Sequence, residues 1–219
     1  MKTVIILFAI FLVVTISACA SYRIAGQVQA GRQALLINEP ERAVAYLQEA
    51  ADSNPDYIRE SELFRESVWT YLGRAQYALG KWPDARRSFE RALSVYRDDY
   101  LAHLYLGLTL ARNGDQSQGV RELETGLKGL YDWMEYMNYS RPLTAYWDPL
   151  RQIRTEIEKD LAMISGKDID REKLIASAEW VGKEMEEEVD RVRRDEYNRF
   201  RRRDNDLRRG GSIGAGIGV

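Results

Sequence analysis

The sequence predicts an all-α protein: a helical-repeat solenoid of about three units, followed by C-terminal capping helices and a long charged helix. Three observations support this fold class. A residue pattern recurs at an offset of 34 positions, and turn-forming residues separate the predicted helices inside each copy. The second half of the chain carries apolar residues at steps of three and four, which is the period of an amphipathic helix.

The composition excludes several classes of function. The 219 residues include 32 basic and 34 acidic side chains, so the net charge of −2 does not favour binding to a polyanion. One cysteine and one histidine exclude an intramolecular disulfide and a histidine-based metal cluster. The sequence has no phosphate-binding loop, dinucleotide fingerprint or HExxH motif. We therefore predict no catalytic residue, no metal, no cofactor and no nucleic-acid partner.

The first 18 residues have the pattern of a secretory signal peptide. Lys2 precedes an apolar run, Val4–Ile16, which is shorter than the roughly 17–25 residues of a membrane span. The only cysteine, Cys19, follows two small residues, and Ile16-Ser17-Ala18-Cys19 resembles a bacterial lipobox. That resemblance implies lipidation of Cys19, a lipidated tether over residues 19–23, and attachment to a membrane. The alternative is an uncleaved signal anchor with a bystander cysteine.

The repeated pattern is clearest in two copies. Six residues of one copy, Trp69, Leu72, Gly73, Ala85, Phe89 and Ala92, align with residues 34 positions later: His103, Leu106, Gly107, Gly119, Leu123 and Gly126. The pattern resembles the tetratricopeptide repeat, a helix-turn-helix unit of 34 residues. Two positions depart from it, because the signature tyrosine is displaced by one to Tyr77 and Arg97 replaces the usual proline.

A third copy is predicted upstream, around Gly31, Ala43 and Leu47. The repeats then cover residues 24–130. The junction between this upstream copy and the copy that contains Trp69 carries eight extra residues, Ile58–Arg65, which we expect to lengthen the next helix. A generic helical bundle with coincidental spacing is the alternative to this interpretation.

The resemblance also implies a protein-binding groove lined by the first helix of each unit. The residues of this chain at the corresponding positions are Thr70, Arg74, Tyr77, Leu104, Leu108 and Arg112. This set is more apolar than a groove that binds a carboxylate. Either it binds an apolar or helical peptide, or the C-terminal helices of the chain fill it. His103 lies at a position that packs between helices, so we expect it in the core.

Residues 131–166 are predicted to form aromatic-rich capping helices. Their aromatic residues are expected in a core, although a glycan-stacking platform at Tyr146 and Trp147 is the alternative. Asp148 and Pro149 are predicted to begin a helix, as N-cap and first residue.

Residues 167–209 are predicted to form one long charged helix. Its apolar stripe comprises Leu174, Ala178, Val181, Met185, Val189 and Val192. Acidic residues dominate its first half and basic residues its second half, which suits the helix dipole. The helix is either a solvated surface helix or a contact arm for a partner helix or anionic headgroups. The tail, residues 210–219, is glycine-rich and predicted to be flexible.

These features together predict a lipid-anchored scaffold that binds other envelope proteins. We expect it in the cell envelope, with Ala20 favouring the outer membrane, facing the periplasm. The alternative is a structural subunit of a secretion, pilus or outer-membrane assembly machine that uses its C-terminal helix, with a helix-mediated oligomer as a second mode of contact. A glycan-binding module is the third interpretation.

Overall fold

The computed structural model describes residues 22–61, 64–140, 146–166 and 168–211. The predicted signal peptide, Cys19 and the tail beyond residue 211 lie outside the described residues. The chain divides into two compact units. Unit 1 comprises the residues up to Glu60 together with Arg65–Gly126, and unit 2 comprises Ser61–Phe64 together with the residues from Leu127 onward.

The described residues confirm the predicted fold class, since they form eight helices and one short hairpin. Helix α1 covers residues 22–36, and the other elements follow in this order: α2 Pro40–Ser53, β1 Ile58–Ser61, β2 Phe64–Ser67, α3 Val68–Ala78, α4 Trp82–Val95, α5 Tyr100–Arg112, α6 Gln116–Ser140, α7 Gln152–Ser165 and α8 Arg171–Gly211. None of the described helices is long and apolar enough to cross a membrane.

Three helix pairs of unit 1 repeat the same close contact. A Cβ atom built on Gly31 would lie 2.5 Å from the side chain of Leu47, and one on Gly73 would lie 2.6 Å from the ring of Phe89. In the third pair, a Cβ atom on Gly107 would lie 2.6 Å from the backbone nitrogen of Leu123. Each glycine therefore faces the residue sixteen positions later. This shared geometry supports the upstream repeat that the sequence predicted.

The turns inside these pairs fall where the sequence predicted them. Gly80 follows α3 and Gly114 follows α5, with φ angles of +69° and +96°. These are left-handed conformations, which glycine adopts without steric cost. Asn38 occupies the same region at the turn between α1 and α2, with φ at 59°, and asparagine is among the residues that tolerate it best.

The junction after the first repeat corrects a prediction. The eight extra residues, Ile58–Arg65, were expected to lengthen the following helix, but those that the structure describes lie in strands β1 and β2. Two contacts explain the difference. Phe64 is buried against two tryptophans of unit 2, and the Val68 backbone N–H donates to the Tyr57 carbonyl at 3.0 Å, so helix α3 begins only at Val68.

Unit 2 contains the second part of α6 together with α7 and α8. The six predicted apolar residues of α8 are all buried, and the burial ends at Val192 as predicted: Leu174, Ala178, Val181, Met185, Val189 and Val192. Helix α8 is 41 residues long. At 1.5 Å per residue this corresponds to about 60 Å.

The start of α7 differs from the prediction. The helix begins at Gln152, not at Pro149, because Asp148 has a positive φ of 46° and the following residues form a turn. The Asp148 carboxylate still caps the helix from upstream. It accepts hydrogen bonds from the backbone N–H groups of Ile153, at 3.2 Å, and Arg154, at 2.9 Å.

Helices α7 and α8 also share a buried polar contact. The Ser177 hydroxyl of α8 lies 2.8 Å from Asp160 and 2.9 Å from Glu156, both on α7. Burial, together with the nearby Glu156 carboxylate, raises the pKa of Asp160 to about 6, and the Ser177 hydrogen bond opposes that rise. The carboxyl of Asp160 therefore titrates closer to neutral pH than an exposed aspartate.

Candidate protein-binding surface

The six predicted groove residues occupy three different environments. Thr70, Leu104 and Leu108 are fully buried, which the prediction of an open groove did not anticipate. Arg74 and Tyr77 are partly buried, and Arg112 is exposed in the last turn of α5. A partner protein reaches the three buried side chains only if their packing opens. Partner binding at these six residues stays a prediction.

Thr70 is buried because it belongs to a contact between two repeats. Its hydroxyl donates to Oδ2 of Asp99 at 2.6 Å, and the backbone N–H of Ser67 donates to the same oxygen at 2.9 Å. Oδ1 of Asp99 accepts from the backbone N–H of Ala102 at 3.0 Å. Asp99 thus caps its own helix, α5, and binds the first turn of α3 in the preceding repeat. We call this contact the Asp99 clamp.

The electrostatics of the clamp follow from its burial. The Asp99 side chain is 1% exposed, and burial raises the pKa of its carboxyl above the usual value for aspartate. The hydrogen bonds from Thr70, Ser67 and Ala102 act in the opposite direction. The positive ends of two helix dipoles, those of α3 and α5, also meet at this carboxylate and favour its ionised form.

Arg74 and Tyr77 pack against the aromatic residues of unit 1. The guanidinium carbon of Arg74 lies 5.1 Å from the ring centroid of Tyr105, within range of a cation–π contact. Tyr77 meets Tyr105 edge-on at 5.7 Å and Trp82 at 4.9 Å. Because α3, α4 and α5 each supply a ring or a cation, these contacts hold the second and third repeats together.

His103, the only histidine of the chain, makes contacts inside the third repeat. Its Nδ1 lies 2.7 Å from Glu122 of α6, and its Nε2 lies 3.2 Å from the Arg97 carbonyl. Its side chain is 17% exposed. This position between helices fits the predicted structural role. Among the described residues, no group of three or more His, Cys, Asp or Glu side chains is placed to bind a metal ion.

An accessible cleft lies on a different face of unit 1 from the predicted groove. It has a volume of about 440 Å³ and is lined by residues of α2, α3 and α4: Gln48, Trp69, Leu72, Gln76, Asp84, Arg87, Ser88 and Arg91. We call it the α2–α4 cleft. Sequence reasoning missed it because Trp69 and Leu72 were used only as members of the repeat pattern.

The α2–α4 cleft combines an aromatic residue with charged groups. The Trp69 indole N–H donates to the Pro55 carbonyl at 2.6 Å, which fixes the orientation of the ring. Arg87 forms an ion pair with Asp84, and Arg91 lies 3.3 Å from Asp56. These arginine side chains are 71% and 47% exposed, so both are accessible to a partner.

The aromatic residues of unit 2 form the predicted core only in part, since Tyr136, Tyr139 and Tyr146 are 64%, 89% and 50% exposed. Trp147 is 1% exposed and meets Trp133 edge-on at 4.5 Å, while Phe64 packs on Trp133 at 4.9 Å. A sugar cannot stack on Trp147 in this arrangement. Tyr146 is 50% exposed, so it alone of the two residues predicted for glycan stacking is accessible.

A buried ionic network in unit 2 was not predicted from the sequence. Arg154 is 1% exposed and donates to the Asp148 carboxylate at 3.2 Å and to the Asp148 carbonyl at 2.7 Å, and it pairs with Glu135 of α6. The backbone N–H of Asp148 donates to Glu188 of α8, which also binds Arg191. This network connects the segment before α7 to α6 and α8. Its role is structural.

We predict that Asp99→Ala lowers the free energy of unfolding by about 2–4 kcal/mol, because three donors in the interior lose their acceptor. Asp115→Ala is the matched control. The Asp115 side chain accepts a hydrogen bond from the Gln118 backbone N–H, at 3.3 Å, at the exposed start of α6, so the expected loss is about 0.5–1 kcal/mol. Urea unfolding followed by circular dichroism measures both. Equal losses in the two variants would contradict the clamp.

The tetratricopeptide repeat family model matches residues 72–124, which extend from α3 into α6. None of the curated proteins compared with the chain matches it. The match covers the helices on both sides of the Asp99 clamp. The chain thus carries an all-α helical-repeat fold of the tetratricopeptide type, and its repeats indicate a scaffold for protein–protein interaction.

Proposed function

We propose that this protein is a lipid-anchored scaffold of the bacterial cell envelope that binds other proteins through its repeats. The observation that carries the proposal is the pair of repeats that the family model matches over residues 72–124 and that the Asp99 clamp joins. A fixed pair of repeats presents a preformed surface, and a preformed surface binds a partner at a lower entropic cost. The partners are other envelope proteins.

The α2–α4 cleft is the surface that we assign to partner binding. Tryptophan and arginine are the residue types that contribute most to protein interfaces. The cleft offers a half-buried Trp69 between two accessible arginines, Arg87 and Arg91. A partner segment with an apolar side chain flanked by carboxylates fits this arrangement. On the face predicted from the sequence, Tyr77 and Arg112 are the residues that extend the binding surface.

The membrane attachment rests on the sequence around Cys19. A short apolar run is followed by small residues and by the only cysteine of the chain. A diacylglycerol group with a further acyl chain gives stable attachment, whereas a single chain is only marginal. We propose that the protein is attached to the outer membrane and faces the periplasm, where the repeats meet their partners close to the membrane surface.

A photo-crosslinking amino acid at position 87 or 91 tests the assigned surface in cells. We expect both positions to capture the same partner protein, because both side chains border the cleft. Positions 42 and 121 are the controls, since Arg42 and Arg121 are also exposed in unit 1 but do not line the cleft. Capture of the partner at the control positions alone, or of unrelated proteins at 87 and 91, would refute the assignment.

Metabolic labelling with a radioactive or clickable fatty acid tests the anchor. The wild-type protein is expected to incorporate the label and Cys19→Ala to lose it completely, because no other cysteine is present in the chain. Immunoprecipitation followed by gel analysis gives the readout. Retention of the label by Cys19→Ala would contradict the lipidation of this residue.

A further inference from the structure

The second half of α8 contains a stretch, residues 197–205, whose side chains are exposed on every face. Residues 197–205 are all exposed, although the helix continues without interruption. Two large aromatic side chains lie in this segment, Tyr197 with 62% and Phe200 with 75% of its surface exposed. Large apolar surface left exposed on a charged helix indicates a contact with something outside the chain.

The charge of this segment is opposite to that of the first half of the helix. Residues 193–205 contain six arginines and three carboxylates, a net charge of +3. Residues 171–190 contain seven carboxylates and three basic side chains, a net charge of −4. The positive potential is thus confined to the exposed end of α8. We call residues 193–205 the basic arm.

The arginines and aromatic residues of the basic arm are arranged together. At 100° per residue, Arg193, Arg194, Tyr197, Phe200 and Arg201 fall within about one third of the helix circumference. The guanidinium of Arg201 lies 5.7 Å from the centroid of Tyr197. A shallow depression of about 360 Å³ is lined by Arg193, Arg194, Tyr197 and Asn198. This face combines three arginines and two aromatic rings, and it also carries one carboxylate, that of Asp204.

We propose that the basic arm binds the headgroups of anionic phospholipids and lies in the membrane–water interface. Aromatic side chains such as tyrosine concentrate at this level of a bilayer, and basic side chains of an interfacial helix are attracted to anionic headgroups. The remaining arginines of the arm, Arg199, Arg202 and Arg203, lie on its other faces. Such a distribution suits a layer of phosphates around the helix, whereas a partner protein would contact only one side of it.

This inference goes beyond the proposed function, because it assigns a second attachment that does not depend on an acyl group at Cys19. Clusters of four to eight basic residues on a helix are typical of segments that bind anionic lipid. With the arm bound, one end of α8 is held at the membrane surface.

The test uses the full chain with Cys19→Ala and Asn198→Cys, labelled at position 198 with an environment-sensitive fluorophore. Vesicles of 30% phosphatidylglycerol in phosphatidylcholine are expected to shift its emission to the blue. Pure phosphatidylcholine vesicles, or 0.5 M salt, should abolish the shift, because headgroup attraction is electrostatic. A label at Thr155→Cys, which is exposed on α7, is the positional control and should not respond.

Two charge variants separate the arm from a general effect of charge. We expect the triple variant Arg201→Gln, Arg202→Gln, Arg203→Gln to bind the anionic vesicles with an apparent affinity about 100-fold lower, measured from the blue shift. The triple variant Arg171→Gln, Lys173→Gln and Lys183→Gln removes the same charge from exposed positions of the same helix and should leave the response unchanged.

Three outcomes would overturn the proposal. The first is an equal response of the label to neutral and anionic vesicles. The second is an equal loss of vesicle binding in both charge variants. The third is a blue shift that appears without vesicles as the protein concentration rises, which would identify a second copy of the chain as the occupant. Because Cys19 is replaced throughout, none of these results depends on lipidation or on the cleft.

Discussion

The Asp99 carboxylate is the contact on which the arrangement of the repeats depends. Helix pairs in a solenoid contact only their neighbours, so each junction must fix its own geometry. Apolar packing between α3 and α5 favours contact but tolerates small sliding motions. A buried carboxylate that accepts three hydrogen bonds does not tolerate such motions, because any displacement leaves a polar group without its partner. The clamp therefore sets the register between the second and third repeats.

In unit 2, a buried aspartate likewise caps the start of α7. Asp148 caps the helix from upstream and also binds the buried guanidinium of Arg154. In both units, an aspartate ahead of a helix satisfies backbone N–H groups of that helix. The Asp99 side chain also holds α3, whereas Asp148 is joined to α8 through its backbone N–H, which donates to Glu188. Removing either partner of such a buried ion pair lowers the free energy of unfolding by more than the pair contributes to it, because the remaining charge is left without compensation.

Features with a local or periodic cause were predictable from the sequence. The glycines at Gly73 and Gly107, the turns after α3 and α5, and the buried stripe of α8 up to Val192 all follow from spacing. The hairpin of β1 and β2 was not predictable, because it depends on the burial of Phe64 against residues about 70 or more positions later in the chain. Local propensity is overridden there by tertiary packing.

The candidate site was predictable only in part. Family positions placed Thr70, Leu104 and Leu108 in an open groove, whereas their burial follows from packing that a linear pattern does not contain. The partner of Thr70 lies 29 residues away, and nothing in the two adjacent aspartates, Asp98 and Asp99, indicates which of them it binds. The α2–α4 cleft likewise draws its residues from three helices, so no single motif shows it.

Native-state hydrogen exchange at the Ser67 amide tests the central claim most directly. This amide donates to Asp99 in the interior, although it precedes its helix. The clamp predicts that this amide exchanges only when the repeats open. Its exchange should therefore be as slow as that of core amides such as the Leu72 amide. The Gln118 amide, which donates to the exposed Asp115, should exchange much faster. Exchange of the Ser67 amide as fast as that of Gln118 would contradict the account.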